Sequence, residues 1–292
     1  MPAIDTRPRV KLSCNPVNHT DSQPQLSAIA IIPARFHSTR LPGKPLLDIC
    51  GQPMIVRVVE RALAARNVAR ALVATDDARI LAAVRAAGYE AVMTSAAHAS
   101  GSDRLAEAVA MLEESFDVIV NVQGDEPQIS PRTIERAVNA LADDPEAACA
   151  TTCEAVSEAR EVLSPDTVKV VMDERGRALY FSRSPIPYPR EAVRRYGSLE
   201  AALIADPSLL SGFRKHTGLY VYRRAFLLEY ARWPASPLER AESLEQLRML
   251  EHDAKIRVVE TDETSIGVDT AEDLERVRAM FAAIDPVKGS QS

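Results

Sequence analysis

The chain has 292 residues, 46% apolar and 26% charged, with a net charge of -6 and an isoelectric point near 5.5. This is an ordinary composition for a globular protein, long enough for one large core or two smaller ones. The acidic balance argues against a dedicated nucleic-acid binder, no apolar run reaches the roughly 18–20 residues that span a bilayer, and the N-terminus lacks a signal peptide's apolar segment.

Residues 1–27 are polar, with scattered prolines and no period, and are expected to form a disordered extension. An apolar strand follows at 28–32. It runs into a loop carrying Arg35, Arg40 and Lys44, with Pro33, Pro42 and Gly43 setting its turns. Cations and free backbone N–H groups at the carboxyl end of a buried strand suit an anionic ligand. The bland alternative is a solvated loop whose arginines pair with surface acids. Neither G-x-G-x-x-G nor the P-loop pattern occurs there.

Strands and helices then alternate. A helix is expected at about 53–65, with Ile55, Val58, Val59 and Leu63 on one face, then a strand at 69–75. A helix at about 77–87, a strand at 89–94 and a helix at 102–115 come next. Residues 117–122, D-V-I-V-N-V, read as a strand covered on both faces, as in a parallel sheet. Q-G-D-E-P follows at 123–127. Asp125 there either serves a turn or presents a carboxylate to a hard cation such as Mg2+ in the same crevice as the basic loop. Ser130 and Pro131 open another helix. The order is that of a doubly wound α/β domain.

After residue 150 the rhythm breaks. Strands at 168–172 and 178–181 flank D-E-R-G-R, a hairpin signal. A proline-rich stretch and weakly periodic polar residues continue to Leu210, with a strand at 218–222. This middle section reads as an insertion with its own small sheet. The α/β pattern resumes with a helix at about 244–250, a strand at 256–259 and a last helix opened by Thr270 and Asp273 as a capping box. Asp269, just before it, either helps cap that helix or joins Asp125 at a metal-bound polyphosphate. The four cysteines, Cys14, Cys50, Cys149 and Cys153, form no disulfide framework. They read as structural, in a protein of the reducing cytoplasm.

Together the motifs resemble a known family. A-I-I-P-A-R-x-x-S-T-R-L-P-G-K-P-L begins at residue 30, with S-G-S-D-R-L-A-E at 100–107, N-V-Q-G-D-E-P at 121–127 and V-K-V-V at 168–171. Y-F-S-R at 180–183, S-P-L-E at 236–239, L-E-Q-L-R at 244–248 and G-V-D-T-x-E-D-L at 267–274 complete the series. In this order, over about residues 28–282, they closely resemble the 3-deoxy-manno-octulosonate cytidylyltransferases. Asp103 stands where the family commonly has Glu.

The resemblance implies a three-layer, doubly wound nucleotide-diphospho-sugar-transferase-like α/β fold with a mixed, mostly parallel sheet. One domain would span 28–285, with a small inserted dimerisation and sugar-binding region at about 155–222 and a tail at 286–292. It implies transfer of CMP from CTP to 3-deoxy-D-manno-octulosonate (KDO), with Mg2+, in a cytoplasmic homodimer that serves lipopolysaccharide synthesis and engages neither nucleic acid nor membrane. By the same resemblance Arg35 and Lys44 hold the triphosphate, and Ala34, Ser100, Gly101 and Ser102 approach ribose and cytosine. Arg104 contacts base or phosphate, and Asp125 and Asp269 carry metal. Arg40, Gln123, His216, Tyr220, Glu239 and Gln246 are the sugar-site candidates. Glu242 and Glu245 read as helix-surface charges, with a site role still open for Glu245. The alternatives are a cytidylyltransferase for 8-amino-KDO or a sialic acid, and a CTP-binding sensor without turnover.

Overall fold

The structure is a computed structural model that describes residues 26–37, 40–98 and 100–284. Most of the expected N-terminal extension, the expected tail and Cys14 lie outside these residues. Leu26 packs against the core, and the Ser27 N–H and hydroxyl both donate to Asp117, each at 2.8 Å. Leu26 and Ser27, counted with the extension by sequence, are thus tied to the fold.

In chain order the first half comprises β1 (Ala28–Ala34), β2 (Asp48–Ile49), β3 (Gln52–Pro53), α1 (Met54–Leu63), β4 (Arg70–Thr75), α2 (Ala78–Ala86), β5 (Glu90–Met93), α3 (Gly101–Ala110), β6 (Val118–Asn121) and α4 (Pro131–Asp143). The second half holds β7 (Cys149–Ala155), α5 (Ala159–Leu163), β8 (Lys169–Met172), β9 (Ala178–Ser182), α6 (Arg190–Tyr196), α7 (Leu199–Ala205), β10 (Arg214–Arg223), α8 (Arg224–Tyr230), α9 (Pro237–Glu242), α10 (Gln246–Glu251), β11 (Ile256–Thr261) and α11 (Ala271–Ile284).

Among the described residues, nine strands form one mixed sheet with the central order β11-β7-β10-β6-β1-β4-β5. β10 pairs antiparallel with both β6 and β7, while β6, β1, β4 and β5 are mutually parallel and β11 follows β7. The sheet is therefore mixed and mostly parallel. Alternate residues of β1 face opposite cores, as strand geometry requires. Ala28, Ala30 and Ile32 meet α1, α2 and α4 on one side, and Ile29 and Ile31 meet α3 on the other. Burial on both faces explains the continuous apolar runs at β1 and β6.

The middle section differs from expectation. Its hairpin β8–β9 joins the main sheet through the pairing of Lys169 with Lys215. Its last strand, β10, lies inside that sheet, because Leu219 and Val221 face one core and Tyr220 and Tyr222 the other. It has no separate sheet. A satellite core of Val156, Val162, Leu203 and Phe213 sits beneath α5 and α7. Fully buried Lys169 donates to the carbonyls of Ser164, Thr167 and Arg183 at 2.8, 2.6 and 2.6 Å. These bonds tie the hairpin to its flanking loops. Cys149 and Cys153 are buried free thiols on β7, whereas Cys50 is exposed. Burial pushes the Cys153 thiol up to about 12, as befits a packing residue.

β4 and β5 lie on one side of β1 and β6 on the other. The strand order reverses there, and open α/β sheets form their ligand crevice at that point, beyond the carboxyl ends of the strands. The loops after β1 and β6 flank it.

Candidate functional site

The basic loop is shaped by its own residues. Gly43 adopts φ 69°, in the left-handed region that favours glycine, and its N–H donates to the Phe36 carbonyl at 3.2 Å. The Arg79 guanidinium lies 3.3 Å over the Phe36 ring. The turn delivers Lys44 inward. Arg35 donates to the His98 carbonyl at 2.8 Å, which joins this loop to the segment before α3.

Two further loops bring in the acids. A Cβ at Gly124 would stand 2.7 Å from the Pro33 carbonyl oxygen, so only glycine lets the loop after β6 lie against the end of β1. The Val268 N–H donates to the Asp125 carbonyl at 2.9 Å, which places the loop before α11 beside it. Thr270 and Asp273 cap α11 reciprocally at 3.0 and 3.2 Å. Helix capping therefore does not occupy the Asp269 carboxylate. Lys44 Nζ lies 2.7 Å from Asp125 and 3.0 Å from Asp269, and Arg40 lies 3.2 Å from Asp269. Burial alone would lower the Lys44 pKa, but the two carboxylates outweigh it and raise it, so Lys44 is an ammonium.

Two carboxylates that converge on one cation offer the hard oxygen donors a divalent ion prefers. Among the described residues no group of three or more His, Cys, Asp or Glu side chains surrounds a common point. The pair therefore suits Mg2+, which commonly takes one or two carboxylates and completes its shell with water and phosphate oxygens.

Two cavities meet here. One, of about 460 Å³, is lined by Ala34, Arg35, Arg40, Lys44, Asp125 and Asp269, with Arg104 also in its wall. The other, of about 510 Å³, is lined by Ser102, Asn121, Arg183, Tyr220, Glu245 and Gln246 among others. Pro33, Gly101 and Gln123 line both, so they form one cleft with a cationic chamber and a polar chamber. In the polar chamber the buried Asn121 Oδ1 finds no hydrogen-bond partner among the described residues, and the Tyr220 hydroxyl has only Thr151 nearby. Buried polar atoms seldom stay unpaired, and both residues line the cavity.

The remaining site candidates are distributed over the cleft and its surroundings. Arg40 stands in the cationic chamber, paired with Asp269. Among the described residues, Arg183 is instead the cation lining the polar chamber, oriented by the carbonyls of Glu242 and Pro165 at 2.7 and 2.9 Å. Arg104 is fully buried and spends its terminal nitrogens on Asp76 at 2.7 Å and Thr94 at 2.5 Å, so it positions the cleft wall. The Ser100 hydroxyl caps α3, with Asp103 completing the box. Asp in place of Glu still closes it.

His216 hydrogen-bonds Thr151 at 2.8 Å. Its ring packs 5.0 Å from Phe181 and 5.3 Å from Tyr220, outside the residues that line the cavity. Burial lowers its pKa to about 3, so it is a neutral support for Tyr220. Glu239 faces Arg248, which donates to it at 2.6 and 2.5 Å. It also caps α9 with Ser236 and does not line the cleft. Glu242 is no free surface charge, since it accepts from the Ser182 hydroxyl and the Arg183 N–H at 2.6 and 2.9 Å. Glu245 lines the polar chamber and accepts from the Ser102 hydroxyl at 2.7 Å.

Asn121 and Arg183 belong to the N-V-Q-G-D-E-P and Y-F-S-R motifs, which by themselves assign them no role. The signal that could have singled out Asn121 is a polar residue ending an otherwise apolar strand. Gln123 donates to the Gly218 carbonyl at 3.1 Å, which anchors it between the chambers.

Comparisons with known proteins point to one family. Residues 29–256 match the family model described as cytidylyltransferase. A 3-deoxy-manno-octulosonate cytidylyltransferase of Syntrophotalea carbinolica is 51% identical over 254 residues, 87% of this chain and 98% of that protein. One of Escherichia coli is 49% identical, over 87% of this chain and 96% of that protein. Among solved structures, a CMP:2-keto-3-deoxy-manno-octonic acid synthetase complexed with CTP superposes with a TM-score of 0.78 at 47% identity. The match covers 88% of this chain and 99% of that one. A 4-diphosphocytidyl-2C-methyl-D-erythritol synthase of Anaerococcus prevotii shares the fold, with a TM-score of 0.55 at 13% identity.

Proposed function

The chain belongs to the cytidylyltransferase family, and from that membership we propose that it transfers CMP from CTP to KDO, releasing pyrophosphate and activating KDO for lipopolysaccharide synthesis. The observation that carries this reading is the two-chambered cleft, with Gln123 and Gly101 at the junction. The cationic chamber suits a triphosphate, with Arg35, Arg40 and Lys44 as donors. The polar chamber suits a polyhydroxylated acid. Gln123, Tyr220, Glu245, Gln246 and Asn121 supply hydrogen bonds, and Arg183 supplies a cation for the carboxylate.

In this reaction the sugar's anomeric hydroxyl attacks the α-phosphorus in line and the bond to pyrophosphate breaks. Phosphoryl-type transfer depends on positioning and charge neutralisation. The chain's part is to hold the two substrates on either side of Gln123 and to offset triphosphate charge with Arg35, Arg40 and Lys44. Asp125 and Asp269 would hold Mg2+, which when bound neutralises phosphate charge and lowers the pKa of a coordinated hydroxyl. Among the described residues no helix is long and apolar enough to cross a membrane. Two buried free thiols accord with a cytoplasmic enzyme. Exposed apolar residues on and beside the β8–β9 hairpin, Leu179 and Tyr188 among them, support a homodimer through that region.

The test is pyrophosphate release with CTP, Mg2+ and either KDO or a sialic acid. Robust release with KDO is expected, and release with the sialic acid alone would sink the assignment. Asp125→Ala and Asp269→Ala should each lower kcat by about 100-fold or more. Wild-type turnover in either variant would remove its metal role.

A further inference from the structure

We propose that Lys44 is a resident counter-ion that closes the Asp125–Asp269 site to a free divalent cation until nucleotide draws the ammonium away. The proposal rests on the reading that these two acids hold the metal, and adds a binding order to it. Lys44 Nζ lies within 3.0 Å of both carboxylates, and its side chain is only 14% exposed. It therefore stands at the point where the two acids converge. Arg40 adds a second positive charge at Asp269, so the four side chains are electrically balanced without a metal. Lys44 and Arg40 leave the acids little residual field to attract an incoming cation.

A free Mg2+ ion would have to displace a covalently tethered ammonium and give up tightly held water as well. With only two protein carboxylates to bind, it gains little in return. A nucleotide triphosphate changes both sides of the balance. Its oxygens give Lys44 an alternative anionic partner within reach of its flexible stem, and they supply the ligands the carboxylate pair lacks. Metal and nucleotide then bind with positive coupling. By linkage, each raises the other's affinity by the same factor.

The experiment measures Mn2+ binding to the full-length protein by electron paramagnetic resonance of the free ion. Without nucleotide, Lys44→Met is expected to bind Mn2+ at least tenfold more tightly than wild type, and Lys44→Arg to bind as weakly as wild type. Adding Asp125→Asn to Lys44→Met should abolish the gain. Equal affinities for wild type and Lys44→Met would overturn the proposal. Lys44→Gln repeats the comparison should the Met variant fail to give a cooperative melt. A non-hydrolysable CTP analogue separates the two readings. If Asp125→Asn binds Mn2+ in its presence as well as wild type does, the metal reading fails and takes the proposal with it. If Asp125→Asn is weakened there while Lys44→Met and Lys44→Gln are no tighter than wild type without nucleotide, the counter-ion role alone is wrong.

Discussion

Arg40 and Arg183 illustrate what a single residue's sequence context can and cannot say. Both sit in motifs that point to the cleft, and a cation of either kind could meet a sugar carboxylate. Their places differ: Arg40 lies 3.2 Å from Asp269, whereas Arg183 lines the polar chamber. Arg40→Ala is therefore expected to raise KM for CTP about five- to tenfold, as loss of one exposed charge-assisted contact would, while KM for KDO stays within twofold. Steady-state kinetics with each substrate varied in turn checks this, and a selective rise for KDO would move Arg40 to the sugar. Lys44 and the two acids were legible as a group, because each follows or closely precedes a well-marked element.

At the scale of elements, strong apolar stripes and capping signals identified α1, α2, α4 and α11, and short polar helices were hidden. α6 buries no residue at all, so it carries no stripe to detect. Helices α9 and α10 are held by Glu239 and Arg248, whose side chains are 11% and 7% exposed. The S-P-L-E motif thus belongs to packing: Ser236 and Glu239 cap α9, and Glu239 crosses to α10. Glu239→Gln breaks a buried ion pair and should destabilise the fold by about 3 kcal/mol, a fall in Tm of roughly 6–12 °C. KM for KDO, measured well below that Tm, should be unchanged. Unaltered Tm with a raised KM would make Glu239 a ligand.

For the whole molecule, the sheet places β10 between β6 and β7, so the chain segment that interrupts the α/β rhythm also completes the sheet and carries Tyr220 to the cleft. The same segment leaves Leu179 and Ile204 61% and 69% exposed. A contiguous exposed apolar patch marks an interaction surface, and we propose that these two residues belong to the surface a second copy covers. The protein is expected to run as a dimer by light scattering, and Leu179→Glu with Ile204→Glu to run as a monomer with the melting temperature of the remaining fold little lowered. A dimer that persists in the double variant would place the interface elsewhere.

The sequence by itself determined the alternation of elements, the reversal of strand order implied by it, and the loops that hold Arg35, Lys44, Asp125 and Asp269. These follow from local periodicity, capping and turn chemistry, which neighbouring residues decide. Only the tertiary structure decided that Lys44 bridges the two acids, that Glu239 serves α10, that Glu245 reaches Ser102 and that β10 enters the main sheet. Glu239 and Arg248 are nine positions apart but lie on different helices; the other three depend on residues tens to hundreds of positions apart, and all four on which partner is nearest once the chain is packed. Side chains of the same type carry no local mark of that choice.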